Sequence, residues 1–235
     1  MWFFYDYYYI VLVLPMVILA LIAQWKVNAT FEKYSKSTTA RGITGYDSAK
    51  MILDANGLSH IRIERVSGNL TDHYDPRANV IRLSDSVYSS RSVAAVGVAA
   101  HEAGHAVQHA KGYVPIKIRA AIIPVTNIGS RLAIPLILIG MLLAGSGLEM
   151  LAYIGVALFS LTTVFQLVTL PVEFNASRRA IEAMKSSYRF DGNEISSAKK
   201  VLSAAAMTYV AALAVSLAQL LRLVLIVGGS RGRRN

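Results

Sequence analysis

The chain predicts a mainly α-helical integral membrane protein that carries a small cytoplasmic α+β unit. Charge distribution is the first ground for this. Charged residues make up 16% of the 235 positions, against about 25% in a typical soluble domain. The deficit is local, because residues 10–25, 132–148, 150–172 and 201–229 are nearly devoid of charge. Three of these runs can cross a hydrocarbon core roughly 30 Å thick, and the run at 132 is the weakest claimant. The second ground is that the sequence between the runs has ordinary globular composition. The third is the placement of basic residues. Asp6 alone precedes the first apolar run, whereas Lys26, Lys33, Lys36 and Arg41 come after it. That bias places the N-terminus outside and the next segment in the cytoplasm.

Taken in order, residues 1–26 read as an N-terminal transmembrane helix. Its leading aromatics form an interfacial belt, and it lacks the basic n-region and small-residue cleavage pattern of a signal peptide. Residues 27–131 form the cytoplasmic α+β unit. Within it, residues 44–56 have helical spacing of Ala49, Ile52 and Leu53 and end at Gly57. Residues 60–66 alternate as a strand. Residues 68–77 are polar and rich in turn formers, and residues 80–83 read as a second strand. A long helical pattern then runs to Lys111, with Gly112 as its stop. Residues 112–131, interrupted by Pro115 and Pro124, read as an interfacial or broken segment. Residues 132–172 form a transmembrane hairpin whose turn has no Lys or Arg. Residues 173–200 are a cytoplasmic helix rich in Arg and Lys, and residues 201–235 are the final span with a basic tail. The tail and Arg222 conflict with the topology: four spans carry the C-terminus outside, while its charges favour the cytoplasm.

The net charge of +10 belongs to these flanks, where anionic headgroups favour it. No zinc finger, RNA-reading aromatic motif or continuous basic patch stands out, so nucleic acid is not an expected partner. The chain has no cysteine, which excludes thiolate nucleophiles, thiolate metal ligands and disulfides.

The chemistry is concentrated at His101-Glu102-Ala103-Gly104-His105. On a helix, residues i and i+4 share a face, so the two imidazoles can reach one metal. The intervening glutamate can then address water at that metal. Zinc lowers the pKa of such a water from about 15.7 toward 7 and polarises a carbonyl. Glu102 is the expected general base. The five-residue pattern alone also arises by chance, as polar residues on an ordinary helix. Here the preceding stretch, SVAAVGVAA, is small and apolar, and three polar groups set in it are costly without a ligand. Gly104 weakens the helix by about 1 kcal/mol relative to alanine, which is reason to expect close approach by another element.

A catalytic zinc takes three protein ligands and keeps an open position. Glu173 is the best third candidate, since it comes just after Pro171 at the end of an apolar run and heads the helical stretch EFNASRRAIEAM. Its competing reading is an interfacial carboxylate. Glu64, Asp72, His73 and Asp75 are rivals, the last three in a dense polar cluster with a turn or cleft role. His109 lies one turn past His105, and Gln108 reads as a helper or packing residue. The strand at 79–83 is a candidate edge for holding an extended peptide by main-chain hydrogen bonds.

Four stretches, LTDHYDP (70–76), VIRLS (80–84), VAAHEAGHAVQHA (98–110) and LPVEFNASRRA (170–180), resemble the bacterial YugP-like membrane zinc metallopeptidases over nearly the whole chain. More distantly the sequence is similar to HtpX-type heat-shock and CAAX prenyl membrane proteases. The resemblance implies a zincin-like unit of gluzincin type, with zinc held by His101, His105 and Glu173 and Glu102 as catalytic base. It implies a multi-pass protein of the bacterial inner membrane with its site facing the cytoplasm. The implied partners are the lipid bilayer, a polypeptide substrate drawn from membrane proteins, and a second copy or a membrane regulatory partner. The chain departs from the distant families at Ser177, where they carry an aspartate that supports a histidine ligand. Asn175 and Asp75 are the substitutes considered, and Arg178 and Arg179 are candidates for steadying an oxyanion. A zinc-binding membrane scaffold without proteolysis is the alternative. Retention of Glu102 argues against it, because a structural zinc needs no base.

Overall fold

The computed structural model describes residues 6–143 and 145–232. It is mainly helical, with helices α1 (Leu14–Ser35, entered through a π-helical stretch at Tyr9–Val13), α2 (Gly45–Ala55), α3 (Val93–Ala110), α4 (Val114–Leu142), α5 (Met150–Ser186) and α6 (Gly192–Gly232). The strands are β1 (Arg62–Val66), β2 (His73–Asp75) and β3 (Val80–Ser84). Among the described residues, four helices are long and apolar enough to cross a membrane, those containing α1, α4, α5 and α6.

The chain folds as two compact units. One comprises Met1–Ile22, Ile118–Leu170 and Tyr209–Asn235. Among its described residues, large apolar side chains such as Ile18, Leu21, Ile128, Leu138, Leu167 and Leu221 are exposed, while small ones, Ala133 and Ala152 among them, are buried. This is the pattern of helices packed through small residues in lipid. A Cβ on Gly155 would meet the Ala133 carbonyl oxygen at 2.6 Å and Ile137 Cγ1 at 2.7 Å, so glycine is what lets α4 and α5 approach there. In the same unit Arg222 Nε donates to Asp6 Oδ2 at 2.7 Å and its guanidinium lies over the Tyr9 ring. The arginine that looked out of place in an apolar run is thus ion-paired.

Helix α4 differs from the sequence expectation. Residues 114–142 form one continuous helix through Pro124 and Pro135, where a broken segment was expected up to residue 131. Each proline removes one backbone donor, and a long apolar helix tolerates that loss when neighbours and local adjustment satisfy the freed carbonyl.

The other unit comprises Ala23–Lys117 and Pro171–Thr208. Thr44 opens α2 with a reciprocal capping box to Asp47, which satisfies two otherwise orphan donors. The sheet has order β1-β3-β2, with β1 parallel and β2 antiparallel to β3. Leu53, Ile81, Leu83, Val96 and Ala99 are fully or almost fully buried between sheet and helices. Helix α3 is capped by Ser92 Oγ, which accepts from Ala95 N at 3.2 Å. It ends before Gly112, whose φ of +64° favours a residue without a Cβ. The small residues of α3 have definite partners: Gly97 faces Ala198 of α6, and Gly104 faces Ala176 of α5.

The sheet order corrects one expectation. Strand β3, proposed from sequence as an edge for peptide docking, is the central strand and has both sides paired. The edge strands are β1 and β2, and β2 lies in the polar stretch expected to be a turn.

Candidate metal centre

Helices α3 and α5 build the site. A Cβ on Gly104 would lie 2.7 Å from the Ala176 carbonyl oxygen; its absence brings the two helices close enough for side chains on both to converge. His101 and His105, one turn apart on α3, meet Glu173 of α5. Their ligand atoms all lie within 4.8 Å of one another. The two Nε2 atoms are 3.1 Å apart. Glu173 Oε2 is 3.3 Å from that of His101 and 3.5 Å from that of His105. Glu173 is almost fully buried.

The far sides of both rings are held. Hydrogen positions are fixed outward-in by Arg179, which has only donors. Its Nε donates to Asn175 Oδ1 at 2.7 Å. Gln108 Nε2 donates to the same oxygen at 3.0 Å and to the Val172 carbonyl at 2.8 Å. Gln108 therefore turns Oε1 to His105 Nδ1, 3.0 Å away, and Nδ1 must be the donor. The Nε2 of a neutral His105 is left with its lone pair facing inward. His101 Nδ1 lies 3.1 Å from Ser177 Oγ; when the hydroxyl accepts from Nδ1, the Nε2 of this ring too faces inward with its lone pair.

Three acceptors aimed at one point repel one another unless a cation or a proton lies between them. Two imidazoles and a carboxylate are a donor set suited to zinc, and the side chains present fit that ion. The same electrostatics act on protons. Burial pushes the His105 pKa down, but the hydrogen bond with Glu173 and the charges of Glu102 and Glu173 outweigh it and raise it above the ordinary histidine value.

Glu102 is buried on the same helix. Its Oε2 accepts a hydrogen bond from the backbone N–H of Tyr74 at 3.0 Å. Tyr74 is the middle residue of β2, and its N–H is turned away from β3. This contact ties the free side of the edge strand to the glutamate. Tyr74 also packs edge-on against His109, with ring centroids 5.6 Å apart.

The rival ligands have other partners. Asp72 accepts from Ser84 N at 2.8 Å and Ser84 Oγ at 2.9 Å, pinning the start of β2 to β3. Burial raises its pKa above the usual carboxylate value. Asp75 pairs with Arg82 Nη1 at 2.9 Å and accepts from Arg77 N and Ala78 N in the turn after β2. Glu64 pairs with Arg62 and Arg82, and His73 Nδ1 lies 2.9 Å from the Thr71 carbonyl oxygen. Of the two arginines considered for an oxyanion, Arg178 pairs with Glu182 at 3.9 Å and Arg179 holds Asn175. Sequence reading left the Tyr74 contact and the Arg179–Asn175–Gln108 chain unseen. The position of Gln108, three residues after His105 and so on its face, was the available signal for the second.

No solved structure matches the chain. The chain is 51% identical over 204 residues to a curated Bacillus subtilis (strain 168) protein named "Putative membrane protease YugP", covering 87% of this chain and 89% of that one. Residues 9–228 match the family described as "Putative neutral zinc metallopeptidase", and it is to this family that the chain belongs.

Proposed function

We propose that this chain is a zinc-dependent endopeptidase of gluzincin type that hydrolyses peptide bonds of membrane or membrane-associated proteins. In this reading residues 27–113 and 173–200 form a zincin-like catalytic region facing the cytoplasm of a bacterial cell, anchored by four spans in the inner membrane. The observation that carries it is the convergence of His101 Nε2, His105 Nε2 and the Glu173 carboxylate, with the Nδ1 side of each ring engaged elsewhere. The cytoplasmic orientation is supported by the lysines just after the first span and by the basic stretch from Arg178 to Lys200.

His101, His105 and Glu173 would hold the zinc. When bound, zinc supplies Lewis acidity, lowering the pKa of water from about 15.7 toward 7 and polarising the peptide carbonyl. The chain's own residues do the rest. Gln108 and Ser177 fix the two imidazole rings so that their Nε2 atoms stay aimed at one point. Tyr74 N–H holds Glu102 Oε2 and leaves the other carboxylate oxygen able to accept the proton of the attacking water. Glu102 then passes that proton to the departing amine.

The deciding experiment is the Glu102→Gln variant, assayed for bound zinc and for cleavage of a membrane-protein substrate. Zinc should be retained at wild-type stoichiometry, while turnover falls by about 10²–10⁴-fold, the range for loss of a general base. Undiminished cleavage would remove Glu102 from the mechanism. A wild-type protein that binds zinc but cleaves no membrane polypeptide would favour the scaffold alternative.

A further inference from the structure

A second site, with a mainly apolar wall and lysines around it, lies within the unit that holds the candidate metal centre, between the last three turns of α1 and the first turns of α6. It is a cavity of about 650 Å³ lined by Lys26, Lys33, Lys199 and Lys200, with Trp25 and Tyr34 on the α1 side. No aspartate or glutamate lines it. Among the described residues none of the four lysines has a carboxylate within salt-bridge distance; the nearby Glu32 pairs with Lys36 at 3.3 Å, and Glu194 accepts from Ala40 N at 2.7 Å.

The arrangement is more than the basic flank expected beside any span. All four lysines are exposed, as flanking lysines ordinarily are, but they border one space. Here Lys26 and Lys33, two turns apart, share one face of α1, and consecutive lysines of α6 line the same cavity. Four cations around one space repel each other, and no acidic side chain relieves them. An anion does. Both helices are long and apolar enough to cross a membrane, and the cavity lies where their apolar runs give way to charge. Exposed Trp25 is an amphipathic side chain of the type found at headgroup level. Basic pockets between such helices bind anionic lipid headgroups through their phosphates.

We propose that this cavity is a binding site for an anionic phospholipid, with the four lysines holding the headgroup phosphate and Trp25 beside the glycerol region. Zwitterionic choline lipids are disfavoured, because their quaternary ammonium is repelled by the lysines that would hold their phosphate. The site is separate from the metal centre and does not depend on the peptidase reading.

Native mass spectrometry of the full chain, delipidated in detergent, tests this with three probes: phosphatidylglycerol, phosphatidylcholine and inorganic phosphate. A saturable phosphatidylglycerol adduct is expected, with phosphatidylcholine at least about tenfold weaker. The Lys199→Gln/Lys200→Gln variant should weaken the phosphatidylglycerol adduct about tenfold, as expected from losing two charges near a phosphate. Ser203 lines the same cavity, and Ser203→Trp should weaken it similarly by filling the space with every charge kept. Melting curves establish that each variant is folded, and the double glutamine variant stands alone if the tryptophan variant is not. Equal retention of the two lipids overturns the proposal, as does undiminished phosphatidylglycerol binding in folded variants. Displacement of the lipid by millimolar inorganic phosphate would assign the cavity to a soluble phosphoryl ligand and overturn the lipid.

Discussion

Both units of this protein use glycine to bring two helices together, and they use the proximity for different ends. In the apolar unit Gly155 of α5 admits the Ala133 carbonyl and the Ile137 side chain of α4; the result is packing, with large aliphatic side chains turned outward. In the other unit Gly104 of α3 admits the Ala176 carbonyl of α5, and the result is chemistry. Within one turn of that contact stand His101, His105, Glu173 and Ser177. A close helix crossing stabilises through dispersion wherever it occurs. Only in the second unit does it also set the distance between groups that must meet at one point, so the same substitution should have different consequences in the two places.

The largest effect is expected at Gly104. In Gly104→Val the new side chain meets a backbone oxygen, which cannot rotate away, so α3 and α5 must separate. A shift of about 1 Å is enough to spoil a site that needs its ligands within about 0.5 Å of their places. Zinc measured by atomic absorption on the purified variant should fall to background. Wild-type zinc content in this variant would mean that the crossing does not set the site.

Smaller effects come from the residues behind the rings. Gln108→Leu removes the acceptor that fixes His105 and leaves Asn175 with Arg179 alone. Zinc affinity, measured by competition with a chelator, should drop by about 10–100-fold. Ser177→Ala acts on His101 through one uncharged partner and should cost about tenfold, the lower end of that range. Ser177→Asp should restore or exceed wild-type affinity, because a carboxylate accepts the Nδ1 proton with charge assistance. If Ser177→Ala outweighed Gln108→Leu, the weight given to the Arg179–Asn175–Gln108 chain would be misplaced.

Acid should empty the site in a definite window. The His105 pKa is raised, so its Nε2 holds a proton at a pH where an ordinary imidazole is already neutral. Proton and metal compete for that atom. Zinc affinity is therefore full above the raised pKa and declines as pH falls through it, beginning on the alkaline side of normal histidine titration. Titration of zinc affinity against pH checks the sign: the midpoint should lie above that of a free imidazole.

The two units were also unequally legible. The spans were readable because absence of charge over a whole helix is a strong and local signal. The centre was readable for a related reason: HExxH encodes its geometry in the period of the helix, and Glu173 lies at a marked change from apolar to polar sequence. Elements whose identity comes from a partner were not. Strand β2 has three residues, too few for alternation to show, and is a strand because Ile81 and its neighbours in β3 pair with it. That β3 would be central instead of an edge depends on the parallel pairing of β1, which no local pattern states. Residues 112–131 looked broken because prolines break helices in water, whereas α4 runs through both of its interior prolines. Asp6 and Arg222 lie 216 residues apart, and Arg222 appeared anomalous until placed against Asp6.

The smallest effect on the centre should come from the matching substitution in the apolar unit. Gly155→Val sets a branched side chain against the Ala133 carbonyl and Ile137 Cγ1, so α4 and α5 must part there as α3 and α5 do at Gly104. Overpacking of this kind costs about 1–3 kcal/mol, read as a lower melting temperature in detergent. The candidate metal ligands all belong to the other unit, and substitutions that share no contact partners act additively. The folded fraction should therefore keep one zinc per chain and a wild-type chelator-competition curve. Loss of zinc from folded Gly155→Val would show that packing among the apolar helices governs ligand geometry as well, and the division of labour between the two glycine crossings would not stand.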